Sequence, residues 1–287
     1  MSNGKRTAVR AVVAAILAGS MAMAFTAEPS PDEAGKKINA LGWQQGPTST
    51  SLSGKASLKV PDGNAILNEN DSSKFLELTG NLPGPGINIV ASKSWWATFE
   101  FDPVGYVKDD EKIDADALIK QMKDSDGPAN EERRKHGLPE LYTEGWYIPP
   151  HYDPATKYLE WGLRLRSAGD PTPVINYTVR MLGRSGYERV VLVSSPEQLD
   201  ADVKSFKATL KGFDFNSGEK YAEFKQGDRI AEYGLAALVA GGAAAVAAKT
   251  GLWKVVLGFL AASWKLVAGV VVALGAGLSK LFSRKKA

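Results

Sequence analysis

EGWYIPPHYDPATKYLEWGLRL, residues 144–165, is the stretch on which the fold turns. In its second half Leu159, Trp161, Leu163 and Leu165 alternate with Tyr158, Glu160, Gly162 and Arg164. A period of two puts one set on each face of an extended chain, so the spacing predicts a half-buried strand. Residues 145–148 supply a partner strand, and PPHYDPATK between them reads as a proline-bearing loop whose turn starts at Asp153-Pro154. The same stretch carries His151, one of only 2 histidines, with Asp153 two positions on. An imidazole and a carboxylate make these two the candidate catalytic residues, as a proton-transfer pair, or else two metal ligands. A closed zinc site needs four ligands and His136 is the only other histidine, so the simpler reading is a loop histidine beside a turn aspartate, with no metal.

Downstream, PVINYTVRML (173–182) alternates Ile175, Tyr177, Val179 and Met181 with polar residues, and YERVVLVSS (187–195) follows a GRSG turn. The hairpin therefore extends into an antiparallel meander. Ser195-Pro196-Glu197-Gln198 has the form of a capping box, and Leu199, Val203, Phe206 and Leu210 give the helix after it one apolar stripe. Upstream, residues 28–42 hold a short helix, followed by a polar stretch to Ser53. KASLKV (55–60) reads as a strand stopped by Pro61-Asp62-Gly63, and residues 68–81 as a helix with an Asn or Asp cap. Residues 87–90 and 95–101 are rich in strand-forming side chains. A helix capped by Asp114 and a second short helix opened by Pro128 complete the set. With no alternation of strand and helix, the pattern predicts an α+β fold with a largely antiparallel β-sheet and packed helices.

The ends differ in kind. Lys5, Arg6 and Arg10 precede the apolar run AVVAAILAGSMAMAF, with Ala22 and Ala24 at cleavage spacing, so residues 1–27 read as a signal peptide. The soluble domain is expected over 28–230 and a C-terminal membrane anchor with a basic tail over 231–287. A spanning helix takes ~20 apolar residues; the first run ends before Lys249, and the second is interrupted by Lys254 and Lys265. Lys254, Lys265 and Lys280 fall within about 80° on a helix, which makes the second run amphipathic, and Trp253 and Trp264 suit an interfacial belt. One span over 235–248, followed by an in-plane helix, leaves the basic tail cytoplasmic and the domain periplasmic at the bacterial inner membrane; a two-span hairpin would leave both outside. Ala236, Ala240, Ala244 and Ala248 recur at every fourth position beside Gly241, a spacing that suits helix packing in a homo-oligomer, although such residues are common in membrane helices generally.

The formal charge of +3 hides an acidic middle: residues 25–232 carry −7, while 1–24 carry +3 and 233–287 carry +7. A phosphate backbone would be repelled by the domain, which argues against nucleic acid as a partner. With no cysteine, thiolate metal sites, cysteine nucleophiles and disulfides are excluded. KDDEKIDAD (108–116) holds five carboxylates but no glycine at the sixth position of an EF-hand loop. No G-x-S-x-G elbow, phosphate-binding loop or dinucleotide fingerprint is present, so no cofactor is expected. Trp95, Trp96, Trp146 and Tyr152, with Tyr147 and Trp161, are candidates for a ligand- or partner-binding groove, against core packing as the alternative.

Four stretches, GYVKDDEKIDADALI (105–119), GWYIPPHYDPATKYLEWGLRL (145–165), INYTVRMLGRSGY (175–187) and FKQGDRIAEYGLAALVAGGAAAVAAKTGL (224–252), make the chain resemble a bacterial family of predicted membrane-anchored proteins containing a domain of unknown function. The resemblance implies an exported domain held by a C-terminal anchor and transfers no catalytic residue. The expected function is a noncatalytic envelope protein that binds a ligand or protein partner and contacts membrane lipid through its C-terminal helices. Two other classes stand beside it: an envelope hydrolase using His151, Asp153 and acids near Asp109, and an oligomeric membrane-active or pore component.

Overall fold

The computed structural model describes residues 31–79, 84–135, 140–169 and 173–240. Helix α1 (Pro31–Asn39) is followed by the strands β1 (Gln44–Gln45), β2 (Thr48–Leu52), β3 (Ala56–Val60) and β4 (Ala65–Leu67). Helix α2 (Glu69–Leu78) precedes β5 (Ile87–Ala91) and β6 (Trp95–Asp102). Helix α3 (Ala115–Lys135) leads into β7 (Leu141–Asp153), β8 (Tyr158–Ser167), β9 (Pro173–Leu182) and β10 (Tyr187–Ser194). Helix α4 (Leu199–Leu210), β11 (Phe213–Phe215), a 3-10 turn (Tyr221–Glu223) and α5 (Leu235–Val239) end the described chain. The strands form an 8-stranded sheet in the order β1-β4-β5-β6-β10-β9-β8-β7 and a 3-stranded sheet, β11-β3-β2. Every ladder is antiparallel. The domain is thus α+β with a large antiparallel sheet, and the meander from β7 to β10 forms as the alternation predicts.

Both faces of the large sheet are covered. On one face Trp95, Ala97 and Phe99 of β6, Val190 and Leu192 of β10, and Tyr177, Val179 and Met181 of β9 meet the small sheet and the apolar stripe of α4. Leu199, Val203, Phe206 and Leu210 are all buried there, as the spacing requires. On the opposite face α1 and α2 cover one end, where Phe75 packs edge-on against both Trp43 and Trp96. The other end of that face is covered by Val107, Leu118 of α3, Tyr221 and α5, over Leu159, Trp161 and Tyr187. The alternation in β8 therefore separates two buried faces; Tyr158 packs on one and Leu159 on the other.

Several local expectations change. The hairpin is longer than its prolines suggest: β7 runs through Pro149 and Pro150 to Asp153, pairing Tyr152 with Leu159 and Asp153 with Tyr158. Register shifts at 143/145, 146/148 and 148/151 absorb the irregularity, the device by which an edge strand accommodates proline. The two helices expected on either side of Pro128 are one 21-residue helix with Pro128 inside. Its second half is fixed to edge strand β7: Asn130 donates to the Leu141 carbonyl and accepts its N–H, both at 2.8 Å, while Asp126 accepts from the N–H and hydroxyl of Thr143. Those bonds hold the helix on course and close part of the open sheet edge. The capping box at Ser195 does not form: α4 starts at Leu199, and Ser194, with Ser94, hydrogen-bonds Asp202 of its first turn instead. The polar stretch before Ser53 contains β2, a strand of alternating serine and threonine.

Among the described residues no helix is long and apolar enough to cross a membrane. Residues 1–30 and 241–287 lie outside them, and with them the signal peptide, the lysine-bearing run, the basic tail, and Gly241, Ala244 and Ala248 of the small-residue row. Ala236 and Ala240 are described, and both pack at the margin of the core formed by α5. Leu235, Leu238 and Val239, at the head of the first apolar run, are buried against the domain. Leu235→Ala and Leu238→Ala are each expected to destabilise the purified protein by about 2–4 kcal/mol, read as a lowered urea midpoint; an unchanged midpoint would detach α5 from the core.

Glu188, on β10 between Phe101 and Met181, is fully buried, and neither carboxylate oxygen is hydrogen-bonded among the described residues. Burial, with Glu100 adding repulsion, pushes its carboxyl up to about 8. The folded state then holds this proton more tightly than the unfolded chain, so the contribution to stability is full below the ordinary carboxylate range and is lost as pH rises toward 8. Equilibrium unfolding at pH 5 and pH 8 is expected to show a loss on the order of 4 kcal/mol from this group, and Glu188→Gln is expected to remove most of that slope.

Candidate functional site

The β7–β8 hairpin and α4 enclose a groove of about 460 Å³, lined among others by His151, Asp153, Glu160, Lys207 and Phe213. Its geometry begins with Gly162. A Cβ there would lie 2.7 Å from the Tyr147 ring, so the missing side chain lets Tyr147 lie across β8 and donate a hydrogen bond to Asp200 of α4. A second tie runs from Lys207 of α4 to Glu160 of β8 at 2.7 Å. The other oxygen of Glu160 accepts from the buried Tyr177 hydroxyl at 2.7 Å. Burial and then this bond raise the Tyr177 phenol well above its ordinary range, which keeps it a donor.

His151 and Asp153, two apart on β7, both line this groove, as a period of two dictates. Asp153 works as a turn residue: its carboxylate accepts from the Ala155 N–H and the Thr156 hydroxyl, both at 2.9 Å. Those bonds, with a smaller contribution from His151, hold it below the usual carboxylate range. Lys157 takes a positive φ of 63° and donates its N–H to the Asp153 carbonyl, closing the hairpin. His151 sits on the exposed rim. No group of three or more His, Cys, Asp or Glu positioned to hold a metal occurs among the described residues.

The acids near Asp109 do not join this pair. Asp109 lies on the other side of the hairpin, where it accepts from the Tyr152 hydroxyl at 2.6 Å and from Lys157 at 2.8 Å. Burial opposes its ionisation, but the bonds to Lys157 and Tyr152 outweigh it and its carboxyl falls below the usual range. The hydrolase set of His151, Asp153 and Asp109 is therefore divided between two faces of the sheet. The aromatic candidates are divided as well. Trp95 is buried in the core between the sheets, with its indole N–H to Ser205; Trp96 is buried under α2; Trp146 and Tyr152 pack beneath α3 and α5. Trp95 and Trp96 are core residues of two clusters and Trp146 and Tyr152 are partly buried against a third, so the four do not share one groove.

Glu160, Lys207 and Tyr177 were not singled out by sequence reading. Lys207 lies on the polar side of an amphipathic helix, where its residue type carries no signal, and only the packing of α4 on the sheet brings it to Glu160. A further clasp joins the β9–β10 turn to the segment before α5: Arg184 donates two 2.7 Å bonds to Asp228, whose carboxyl drops to about 2. GRSG is accordingly a turn, closed by the Gly183 N–H to the Gly186 carbonyl at 2.8 Å.

Across the groove, Tyr177, Glu160 and Lys207 form one chain of hydrogen bond and ion pair. A double-mutant cycle of Tyr177→Phe with Glu160→Gln is expected to give a coupling of about 1.5–3 kcal/mol, the range for hydrogen bonds to charged groups; zero coupling would mean the bond contributes nothing to stability.

No curated protein matches the chain. Among solved structures, the solution structure of cyanobacterial PsbP (CyanoP) from Synechocystis sp. PCC 6803 is 8% identical, with a TM-score of 0.35 over 59% of this chain and 92% of that one. The sequence profile of DUF2167, described as a protein of unknown function, matches residues 44–275, from the first strand of the large sheet past α5. That span is most of the chain, and the protein belongs to the DUF2167 family.

Proposed function

We propose that the protein is a noncatalytic binding module of the bacterial envelope, exported through residues 1–27 and held at the inner membrane by its C-terminal region. The observation that carries the reading is the way the acids are used. Asp153 and Asp109, the acids a hydrolase would have drawn on, are each engaged in structural hydrogen bonds or ion pairs and lie on opposite sides of the sheet, and Glu160 beside Asp153 in the groove is likewise engaged. What is left at the hairpin is a groove with both signs of charge and an apolar floor of Leu210 and Phe213, a composition suited to a ligand or protein partner.

The seating of α5 refines the anchor. With residues 235–239 on the domain, the segment up to Ala248 keeps too few residues for a span, which needs at least ~17. Membrane contact is then assigned to the run after Lys249, whose lysines and terminal SRKKA favour the cytoplasmic side. With tags at Ser30 and after Ala287, protease is expected to digest the domain only in osmotically opened cells while the C-terminal tag stays protected. A domain that resists protease in opened cells would overturn the envelope assignment, and digestion at both ends would replace the single span by a hairpin and favour the oligomeric membrane-active reading.

A further inference from the structure

A second concavity, remote from the hairpin groove in its residues, lies where the two sheets part. Strand β1 belongs to the large sheet and β2 to the small one, and the chain crosses between them at Gly46-Pro47. The close approach there needs a glycine: a Cβ on Gly46 would lie 1.9 Å from the Pro61 carbonyl oxygen. The crossing leaves a cavity of about 320 Å³ between β1, β2, β5 and the start of α2. This is near the lower bound of roughly 300 Å³ for small-molecule sites.

The floor is built from Ile66 and Asn88, both buried, at 2% and 5% exposure. Asn88 is a polar residue within an otherwise apolar strand, INIVA. Its amide nitrogen donates to the Leu67 carbonyl at 3.3 Å, and the same carbonyl accepts from Ser72, whose oxygen takes the Ile89 N–H. That knot fixes the side chain, which lines the cavity, and no hydrogen bond to its amide oxygen occurs among the described residues. One wall carries Gln44 of β1 with Thr50 and Ser51 of β2. The other carries Asn68, Glu69 and Asn70. Asn68 caps α2 by accepting the Asp71 N–H at 3.0 Å, which leaves its amide nitrogen to donate. Gln44, Thr50, Ser51, Glu69 and Asn70 make no side-chain hydrogen bond among the described residues.

The donor set narrows the ligand. Among the described residues no lysine, arginine or histidine lines the cavity, and its one charged group is the Glu69 carboxylate, so phosphates and carboxylates are disfavoured. One carboxylate is too few for a cation site. Side-chain amides and hydroxyls both donate and accept, as do the vicinal hydroxyls of a sugar, and a carboxylate accepts from two hydroxyls at once. We infer that this cleft binds an uncharged saccharide, held by Gln44, Asn70, Glu69 and the buried Asn88. The site stands apart from the hairpin groove and does not require the envelope assignment.

The test uses the full chain in lipid nanodiscs free of sugar detergents, with saturation-transfer NMR and equilibrium dialysis against glucose, galactose and N-acetylglucosamine. Saturable binding of at least one of them is expected, weakened about tenfold or more by Gln44→Ala with Asn70→Ala, both at exposed positions, and unchanged by Lys211→Ala in the hairpin groove. Asn88→Leu should abolish binding, and the exposed pair decides the matter if that variant does not fold. Absence of saturable binding by the wild type at tens of millimolar, insensitivity to the Gln44 and Asn70 changes, or equal affinity for glucose 6-phosphate would each overturn the assignment.

Discussion

The ladder between β6 and β10 joins the two antiparallel halves of the large sheet. β4, β5 and β6 form one antiparallel set and β7 to β10 another, and eight register pairs, from Asp102 with Tyr187 to Trp95 with Ser194, close them into one sheet. Strands about ninety residues apart must find each other before that pairing stabilises anything, a cost in loop closure that burial on both faces has to offset. The long connection from β6 to β7 also places β7 at the far edge, so each later hairpin steps back toward β6. The groove at the hairpin is a consequence of this arrangement.

The same ladder carries the charges that are hardest to bury. Arg189 pairs with Glu100 across it, and Tyr187 donates to Asp102. Arg180, next along on β9, lies between the rings of Trp161 and Tyr187 at 5.2 and 5.4 Å, and burial lowers its guanidinium to about 10. Glu188, on the opposite face, has no hydrogen-bond partner for either carboxylate oxygen among the described residues. Two faces of one strand thus treat charge differently: one surrounds it with counter-charges and aromatic rings, the other keeps a carboxyl protonated by excluding water.

Local chemistry made much of this readable in advance. The alternation in β8 and β9, the stripe of α4 and the Asp114 cap, whose carboxylate accepts the Ala117 N–H at 2.9 Å, each follow from side chains within a few residues of one another. Where expectation and structure part, a distant contact intervenes. Pro128 does not break α3 because Asp126 and Asn130 are held by β7, and the Ser195 box is not used because Ser94 and Ser194 both serve Asp202. β2 has no apolar alternation to announce it and becomes a strand by pairing with β3.

By itself the sequence determined the type of fold, the antiparallel hairpin at 144–165 and the apolar stripe of α4, because residue period and turn chemistry act over short distances. It also pointed to a turn role for Asp153, through Asp-Pro. Only the tertiary structure decided that both faces of the sheet are buried, that Asp109 is parted from His151, that the aromatics belong to three cores, and that the head of the C-terminal apolar run packs on the domain. These depend on which strands lie side by side and which face each side chain takes, and long-range pairing settles that choice where local propensity does not.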